Sequence, residues 1–231
     1  MKQLFRGGIH PDGHKDMSRG GAPVVVPAPE TVVIPLCQHI GSVCKPLVAV
    51  GDSVLMGQKI GDGDGRSSPV HSTVSGKVTA IEEHEVPGGG KVPSVVIRND
   101  FKDTKVEMKG AANWESLDAK AIADIVRECG IVGMGGAAFP TNSKIASTAG
   151  KTKDVLINAC ECEPYITSDD TIMCTATADV IGGARLLAKV LGADSLRFLS
   201  VDDLKQACGC QGLCTACFDG SYVTPLYSNK I

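Results

Sequence analysis

Between Gly130 and Lys144 the chain reads Gly-Ile-Val-Gly-Met-Gly-Gly-Ala-Ala-Phe-Pro-Thr-Asn-Ser-Lys, and few folds can house such a run. Four glycines and two alanines let the backbone approach a ligand closely and reach conformations that a Cβ forbids. Successive unpaired N–H groups in a loop of this kind form a concavity for an anion, above all a phosphate. Pro140 stiffens the exit and Lys144 adds a mobile positive charge. The spacing is neither the dinucleotide fingerprint G-x-G-x-x-G after a strand nor the P-loop G-x-x-x-x-G-K-[ST]. On residues alone the loop is a phosphate cradle or a glycine-rich turn with no ligand. A buried strand, Asp154 to Asn158, follows and opens into Ala159-Cys-Glu-Cys-Glu-Pro-Tyr-Ile-Thr167. A glycine turn, then a strand ending in Asn and paired carboxylates, is the layout of a cofactor site in an α/β sheet.

These two stretches together resemble the C subunit of the Rnf ion-translocating ferredoxin:NAD oxidoreductase. That protein is similar in turn to the flavin-binding, NADH-oxidising subunit of respiratory complex I. The resemblance takes in Leu4-Phe-Arg-Gly-Gly-Ile-His-Pro11, Gln38-His-Ile-Gly41 and His71 as well. It implies that Gly133, Gly135, Gly136, Ala137 and Lys144 hold the phosphate of FMN. Asn158 and Glu161 would sit by the isoalloxazine and Glu163 near the approach of a nicotinamide, which makes Glu161 and Glu163 the catalytic pair. The implied chemistry is hydride transfer between NAD(H) and FMN, then single-electron transfer onward. The implied partners are ferredoxin and the other subunits of a membrane electron transport complex, with the chain cytoplasmic and peripheral on the inner face of the membrane.

A net charge of -3 over 231 residues leaves no basic footprint, which argues against nucleic acid. No run of eighteen apolar residues suggests a membrane span, and no charged-then-apolar leader suggests secretion. Upstream of the glycine loop, Val24 to Pro35 is rich in valine and proline and suits edge strands and extended chain. Short β-branched runs then alternate with Gly-Asp turns: Val48 to Val54, Met56 to Gly61, Pro69 to Val78 and Val95 to Ile97. That rhythm indicates a compact all-β domain, and its order resembles the barrel-sandwich hybrid of biotinyl and lipoyl carriers. A carrier needs its lysine at an exposed hairpin tip, whereas Lys77 stands at a strand start, so a docking or structural module is expected. His10 and His14 lack a third metal ligand nearby, His39 and His71 suit hydrogen-bonded turns, and Cys37 and Cys44 suit the core.

Ser116 is expected to cap a helix with Leu117, Ala121, Ile122, Ile125 and Val126 on one face, ended by Gly130. A second helix is expected from Ser168 to about Leu191, with Gly182 and Gly183 packed closely against a sheet and Met173 and Cys174 in the core. Cys160 and Cys162 are read as packing residues beside the cofactor. The expected architecture is α+β and multidomain. An N-terminal all-β barrel-sandwich hybrid spans 1–100, a linker 101–115, and a partial α/β flavin-binding domain like that of complex I 116–192. A cysteine-rich tail of different origin spans 193–231.

The Rnf resemblance is placed at about Met1 to Gly192. Beyond it the tail resembles the carboxyl-terminal end of amidophosphoribosyltransferase, whose iron–sulfur members bind a [4Fe–4S] cluster through cysteines matching Cys214 and Cys217. Cys208, Cys210, Cys214 and Cys217 put four thiols within ten residues, a composition that suits Fe–S or Zn binding or oxidisable thiols. Their spacing is not a standard cluster run. Leu196 to Val201 alternates enough to add a strand to the flavin-domain sheet, with Asp202 and Asp203 following it. The expected function is that of a truncated, catalytically incomplete Rnf protein of this type. A non-catalytic docking fragment and a purine-pathway Fe–S fragment are the alternatives.

Overall fold

The computed structural model describes residues 12–87, 89–107, 110, 113–134, 138–159, 161 and 163–199. The chain forms two units: residues 25–147, and residue 148 onward together with the segment ending at Val24. The first is β-rich. Thr31–Pro35 (β1), Lys45–Pro46 (β2), Ser53–Val54 (β3), Lys59–Asp62 (β4), Val70–His71 (β5), Gly76–Glu85 (β6) and Lys91–Asn99 (β7) are short runs parted by turns. They build a four-stranded sheet in the order β1-β7-β6-β3 and a three-stranded sheet β2-β4-β5. The β6–β7 hairpin pairs from Gly76↔Asn99 to Glu85↔Lys91, and β1 runs antiparallel to β7 from Thr31↔Arg98 to Pro35↔Ser94. As an outer strand β1 tolerates the proline that ends it.

Both sheets turn apolar side chains inward. Ile34, Leu36, Val54, Ile60, Val70, Val74, Val78, Val95 and Ile97 make one buried cluster with Cys44. Each such side chain contributes roughly 1.5–3 kcal/mol relative to exposure. Lys77 lies within β6, opposite Ser53 and Arg98, away from the hairpin tip. His39 is buried, its Nε2 accepting the Ser68 amide at 3.1 Å. Cys44 is buried with its thiol donating to the Ser68 carbonyl, while Cys37 is half-buried. The polar stretch after β7 is fastened: the Met56 amide donates to Thr104 and the Val106 amide to Met56.

Ala119–Glu128 (α1) closes on this unit. Its cap is Asp118, whose carboxylate accepts the Ala121 amide at 2.7 Å. Ser116 instead ends a short 3-10 turn from Trp114; a carboxylate accepts the amide and meets the positive helix end, both of which favour Asp118. Ile122 and Val126 are buried, whereas Ile125, one position before Val126, lies on the flank of the stripe and is exposed. Arg127 ties the helix down, with Nη2 on Asp62 Oδ1 at 2.8 Å and on the Gly63 carbonyl at 3.1 Å. Lys59 Nζ bridges Asp62 at 3.2 Å and Glu128 at 2.5 Å. Burial alone would raise the Asp62 carboxyl, but hydrogen bonds from Arg127, the Gly63 amide and Lys59 hold it below its ordinary value.

The second unit is α/β. Asp154–Asn158 (β8) pairs in parallel with Ser195–Leu199 (β9), residue for residue from Asp154↔Ser195 to Asn158↔Leu199. The strand expected within Leu196 to Val201 therefore forms and joins the sheet. A short helix, Thr141–Thr148 (α2), leads toward this unit. Between β8 and β9 lie two helices, not one: Ser168–Thr175 (α3) and Thr177–Leu191 (α4). The break falls at Ala176, whose φ of -127° and ψ of 37° leave the helical region. Threonines flank it and bond backward, Thr175 Oγ1 to the Thr171 carbonyl and Thr177 Oγ1 to the Met173 carbonyl, a habit that loosens helices. Ala184, Val190 and Leu191 of α4 are buried. Among the described residues Gly182 and Gly183 are not wedged against a sheet: a Cβ on either would meet nothing of them within 4 Å. Cys174 is exposed and not in the core. Among the described residues no helix is long and apolar enough to cross a membrane.

Candidate functional site

The glycine loop leaves α1 through a two-bond glycine cap. The Gly130 amide donates to the Arg127 carbonyl at 2.8 Å and the Ile131 amide to Val126 at 3.3 Å. Gly130 has φ +66°, and a Cβ there would lie 2.5 Å from the Pro69 carbonyl oxygen and 2.9 Å from His71 Nδ1. Only glycine lets the helix end this close to β5. The loop is then pinched shut at its base. Val132 bridges Pro140, the Gly133 amide donates to Phe139 at 2.9 Å, and the Thr141 amide donates to Ile131 at 3.1 Å. Helix α2 follows directly, so the loop opens onto a helix amino terminus, where the dipole favours an anion.

Lys144, on the first turn of α2, is half-buried. Its Nζ lies 3.6 Å from the point a Gly133 Cβ would occupy and 5.8 Å from the centre of the Phe139 ring. Arg66, from the turn before β5, places its guanidinium carbon 5.4 Å from the same ring centre. Two cations thus converge on Phe139, one expected from sequence and one missed. Nothing local to Arg66 signals the role, because only the tertiary fold brings that turn beside the loop. Asn142 Oδ1 is buried with no hydrogen-bond partner among the described residues. Such an acceptor is rare and suits a ligand hydroxyl. Two cations for a phosphate, an orphaned acceptor for a sugar-type hydroxyl and a side-chain-free Gly133 fit a flavin mononucleotide. Gly135, Gly136 and Ala137 lie outside the described residues, as do Cys160, Cys162, His10 and the quartet Cys208, Cys210, Cys214 and Cys217.

The acidic half of the expected site belongs to the α/β unit. Asn158 ends β8, opposite Leu199. Glu161 has turned toward α3: its carboxylate accepts the Asp169 amide at 3.0 Å, the Asp170 amide at 3.4 Å and the Ser168 hydroxyl at 3.0 Å. The residue in the N-cap position, Thr167, makes no side-chain cap bond, so Glu161 supplies the cap from outside the helix. Asp169 is pushed above the usual carboxylate range, chiefly by burial and next by the Glu161 charge. Glu163 is exposed, and its backbone carbonyl accepts Lys15 Nζ at 2.5 Å. The structure therefore gathers Gly133 and Lys144 in one unit and Asn158, Glu161 and Glu163 in the other. Among the described residues no three His, Cys, Asp or Glu side chains cluster to hold a metal.

Residues 3–102 match the RnfC barrel sandwich hybrid domain family, and residues 126–208 match the Nuo51 FMN-binding domain family. The C subunit of the Na(+)-translocating ferredoxin:NAD(+) oxidoreductase complex of Acetobacterium woodii is 42% identical over 204 residues, 87% of this chain and 46% of that protein. The C subunit of the proton-translocating ferredoxin:NAD(+) oxidoreductase complex of Clostridium ljungdahlii is 40% identical over 208 residues, 89% of this chain and 45% of that protein. The chain is similar to these RnfC-type subunits over most of its length. A third such protein, the C subunit of the ion-translocating oxidoreductase complex of Klebsiella pneumoniae, is 41% identical over 203 residues, 87% of this chain and 27% of its own length. The chain spans less than half the length of these curated relatives. The FMN-binding match continues to residue 208, across β9, and the likeness to the Clostridium ljungdahlii protein takes in 89% of this chain.

Proposed function

We propose that this chain holds the flavin of an Rnf-type complex, taking FMN at the glycine loop and exchanging electrons between NAD(H) and ferredoxin through partner subunits. The observation that carries the reading is the pinched loop itself, with Lys144 and Arg66 meeting at Phe139 and an orphaned Asn142 oxygen on the helix that follows. In this reading Gly133, Gly135, Gly136, Ala137 and Lys144 receive the phosphate end, and Asn158 lies along the ring. Bound FMN supplies a two-electron acceptor that releases electrons singly. The protein's share is to neutralise the phosphate, exclude water and orient the ring. Glu163 faces the incoming nicotinamide with an exposed carboxylate. Glu161 acts more indirectly, fixing the strand-to-helix turn by capping α3. The barrel-sandwich residues 1–100 serve as a docking module, residues 101–115 as their link to the flavin domain, and the complex stands on the inner face of the cell membrane. The quartet Cys208, Cys210, Cys214 and Cys217 is a candidate Fe–S or Zn seat, which iron, sulfide and zinc assays on the purified chain test.

The deciding experiment is a fluorescence titration of the purified chain with FMN. Quenching that saturates, weakened about tenfold (roughly 1.4 kcal/mol) by Lys144→Ala, supports the reading. Unchanged FMN fluorescence overturns it. A second reading, a non-catalytic docking fragment, is favoured by the use of Glu161 as a helix cap, and a folded chain without flavin would select it.

A further inference from the structure

Residues 12–24 precede the barrel strands in sequence but belong to the α/β unit. There they grip a single turn. Lys15 Nζ donates to the carbonyls of Glu163 at 2.5 Å and Ile166 at 2.6 Å. Ser18 Oγ donates to the Tyr165 carbonyl at 2.6 Å, and the Tyr165 amide donates to the Gly13 carbonyl at 2.8 Å. The His14 ring stacks on Tyr165, with centroids 5.0 Å apart and planes 12° from parallel. His14 and Tyr165 both hold positive φ, 46° and 66°, a conformation that L-residues rarely adopt and that persists only where contacts enforce it.

The gripped turn is the one that carries Glu163, just beyond Glu161, between the end of β8 and the start of α3. Over 163–166 it belongs to no strand or helix, so its backbone must find partners elsewhere. The amino-terminal segment provides them. An ammonium shared by two carbonyls gives two charge-assisted bonds, stronger than neutral ones, and it spans the turn from Glu163 to Ile166.

We propose that residues 13–18 are a strap that sets the conformation of the acidic turn, with Lys15 as its positioning residue, so that acceptance of the nicotinamide dinucleotide depends on a segment preceding the barrel. The dinucleotide part of this inference rests on the function proposed above; the strap itself does not. Lysine suits the position because its ammonium can donate to two backbone carbonyls of the turn at once. Arginine, with several donors, can serve both, whereas methionine keeps the packing and donates nothing.

The test uses the full chain and the variants Lys15→Met and Lys15→Arg. Amide hydrogen exchange of peptides covering 161–167 reads the strap. Anaerobic stopped-flow reduction of bound FMN by NADH reads its consequence. Lys15→Met is expected to speed exchange in that turn at least tenfold and to raise the NADH concentration for half-maximal reduction about tenfold, with FMN affinity within twofold of the unaltered chain. Lys15→Arg restores both. The double variant His14→Ala with Ser18→Ala, which leaves Lys15 in place, is expected to give an intermediate exchange rate and guards against a misfolded single variant. Unchanged exchange in Lys15→Met overturns the strap. Faster exchange with an unaltered NADH dependence overturns the positioning role. A chain that takes up no FMN refutes the proposed function instead, while the exchange measurement still decides the strap.

Discussion

The two units are held together by different physics. The β-rich unit buries one continuous apolar cluster between its sheets, with Leu36, Ile60, Val95 and Ile97 fully sequestered. Among the described residues of the α/β unit the buried apolar ones are Val155, Ala184, Val190 and Leu191, while Ile166, Ile172, Ile181 and Phe198 are exposed. What fixes its turns is polar: Glu161 on the α3 amides, Thr152 on the Thr148 carbonyl, Lys15 on two carbonyls. Apolar burial stabilises without direction, whereas hydrogen bonds stabilise modestly and orient strongly. The unit that keeps its shape by burial suits a docking platform. The one set by individual hydrogen bonds suits a site whose geometry must be right at a few atoms.

The sharpest way to break this contrast is Leu36→Ala. Loss of a fully buried leucine is expected to cost about 2–5 kcal/mol in the β-rich unit alone. Trp114, the single tryptophan, reports that unit by fluorescence, and far-UV circular dichroism weights the helices. If the two urea transitions move together in the variant, the units are not separate in stability and the contrast fails. A smaller effect in the same unit is expected for Arg127→Met, which leaves the half-buried Asp62 with Lys59 and the Gly63 amide as its remaining partners. About 1–3 kcal/mol should vanish from the tryptophan-detected transition.

Gly182→Ala probes the other side with opposite sign. Nothing among the described residues lies within 4 Å of the added carbon, so α4 should gain about 1 kcal/mol, seen in the dichroism transition and not in Trp114. Destabilisation there would show that a surface outside the described residues packs against this face. The smallest effect is a pH slope from His39. Burial lowers its pKa from 6.5, so the unfolded chain takes up the proton first as pH falls. Stability contributed by the neutral ring is therefore present above about 6.5 and lost as pH drops below it. His39→Gln should flatten the tryptophan-detected midpoint between about pH 7.5 and 5.5, while the Asp62 contribution is lost only at more acid pH because its folded pKa is depressed.

The alternation of β-branched runs with Gly-Asp turns announced the strands of the barrel, since pattern and turn chemistry are local. Gly130 announced the end of α1 for the same reason. What escaped was decided by partners distant in sequence or by competition between neighbours. Asp118 prevailed over Ser116 as a cap because a charge adds to the hydrogen bond. The threonines around Ala176 broke one expected helix into two. Gly182 and Gly183, read as close-packing residues, face open space among the described residues, because glycine is equally permissive of crowding and exposure. Within the candidate site, the sequence points to Lys144 through the loop that precedes it. It does not point to Arg66, which lies far upstream of that loop and reaches it only through the fold. The capping use of Glu161 likewise depends on the angle at which α3 leaves the turn.

The Lys15 bonds to Glu163 and Ile166 span 148 and 151 positions, and that distance carries a kinetic consequence. During synthesis, residues 13–18 emerge before any barrel strand, yet their acceptors emerge only after both sheets can have closed. Non-local contacts of this kind form late, because chain entropy is lost before they can return any stability. The order of folding is thus barrel first and strap last. Pulse-labelled exchange during refolding should show the Tyr165 amide gaining protection after the β6–β7 hairpin, so the competent geometry of the acidic turn is acquired only after residues 163–166 have been made.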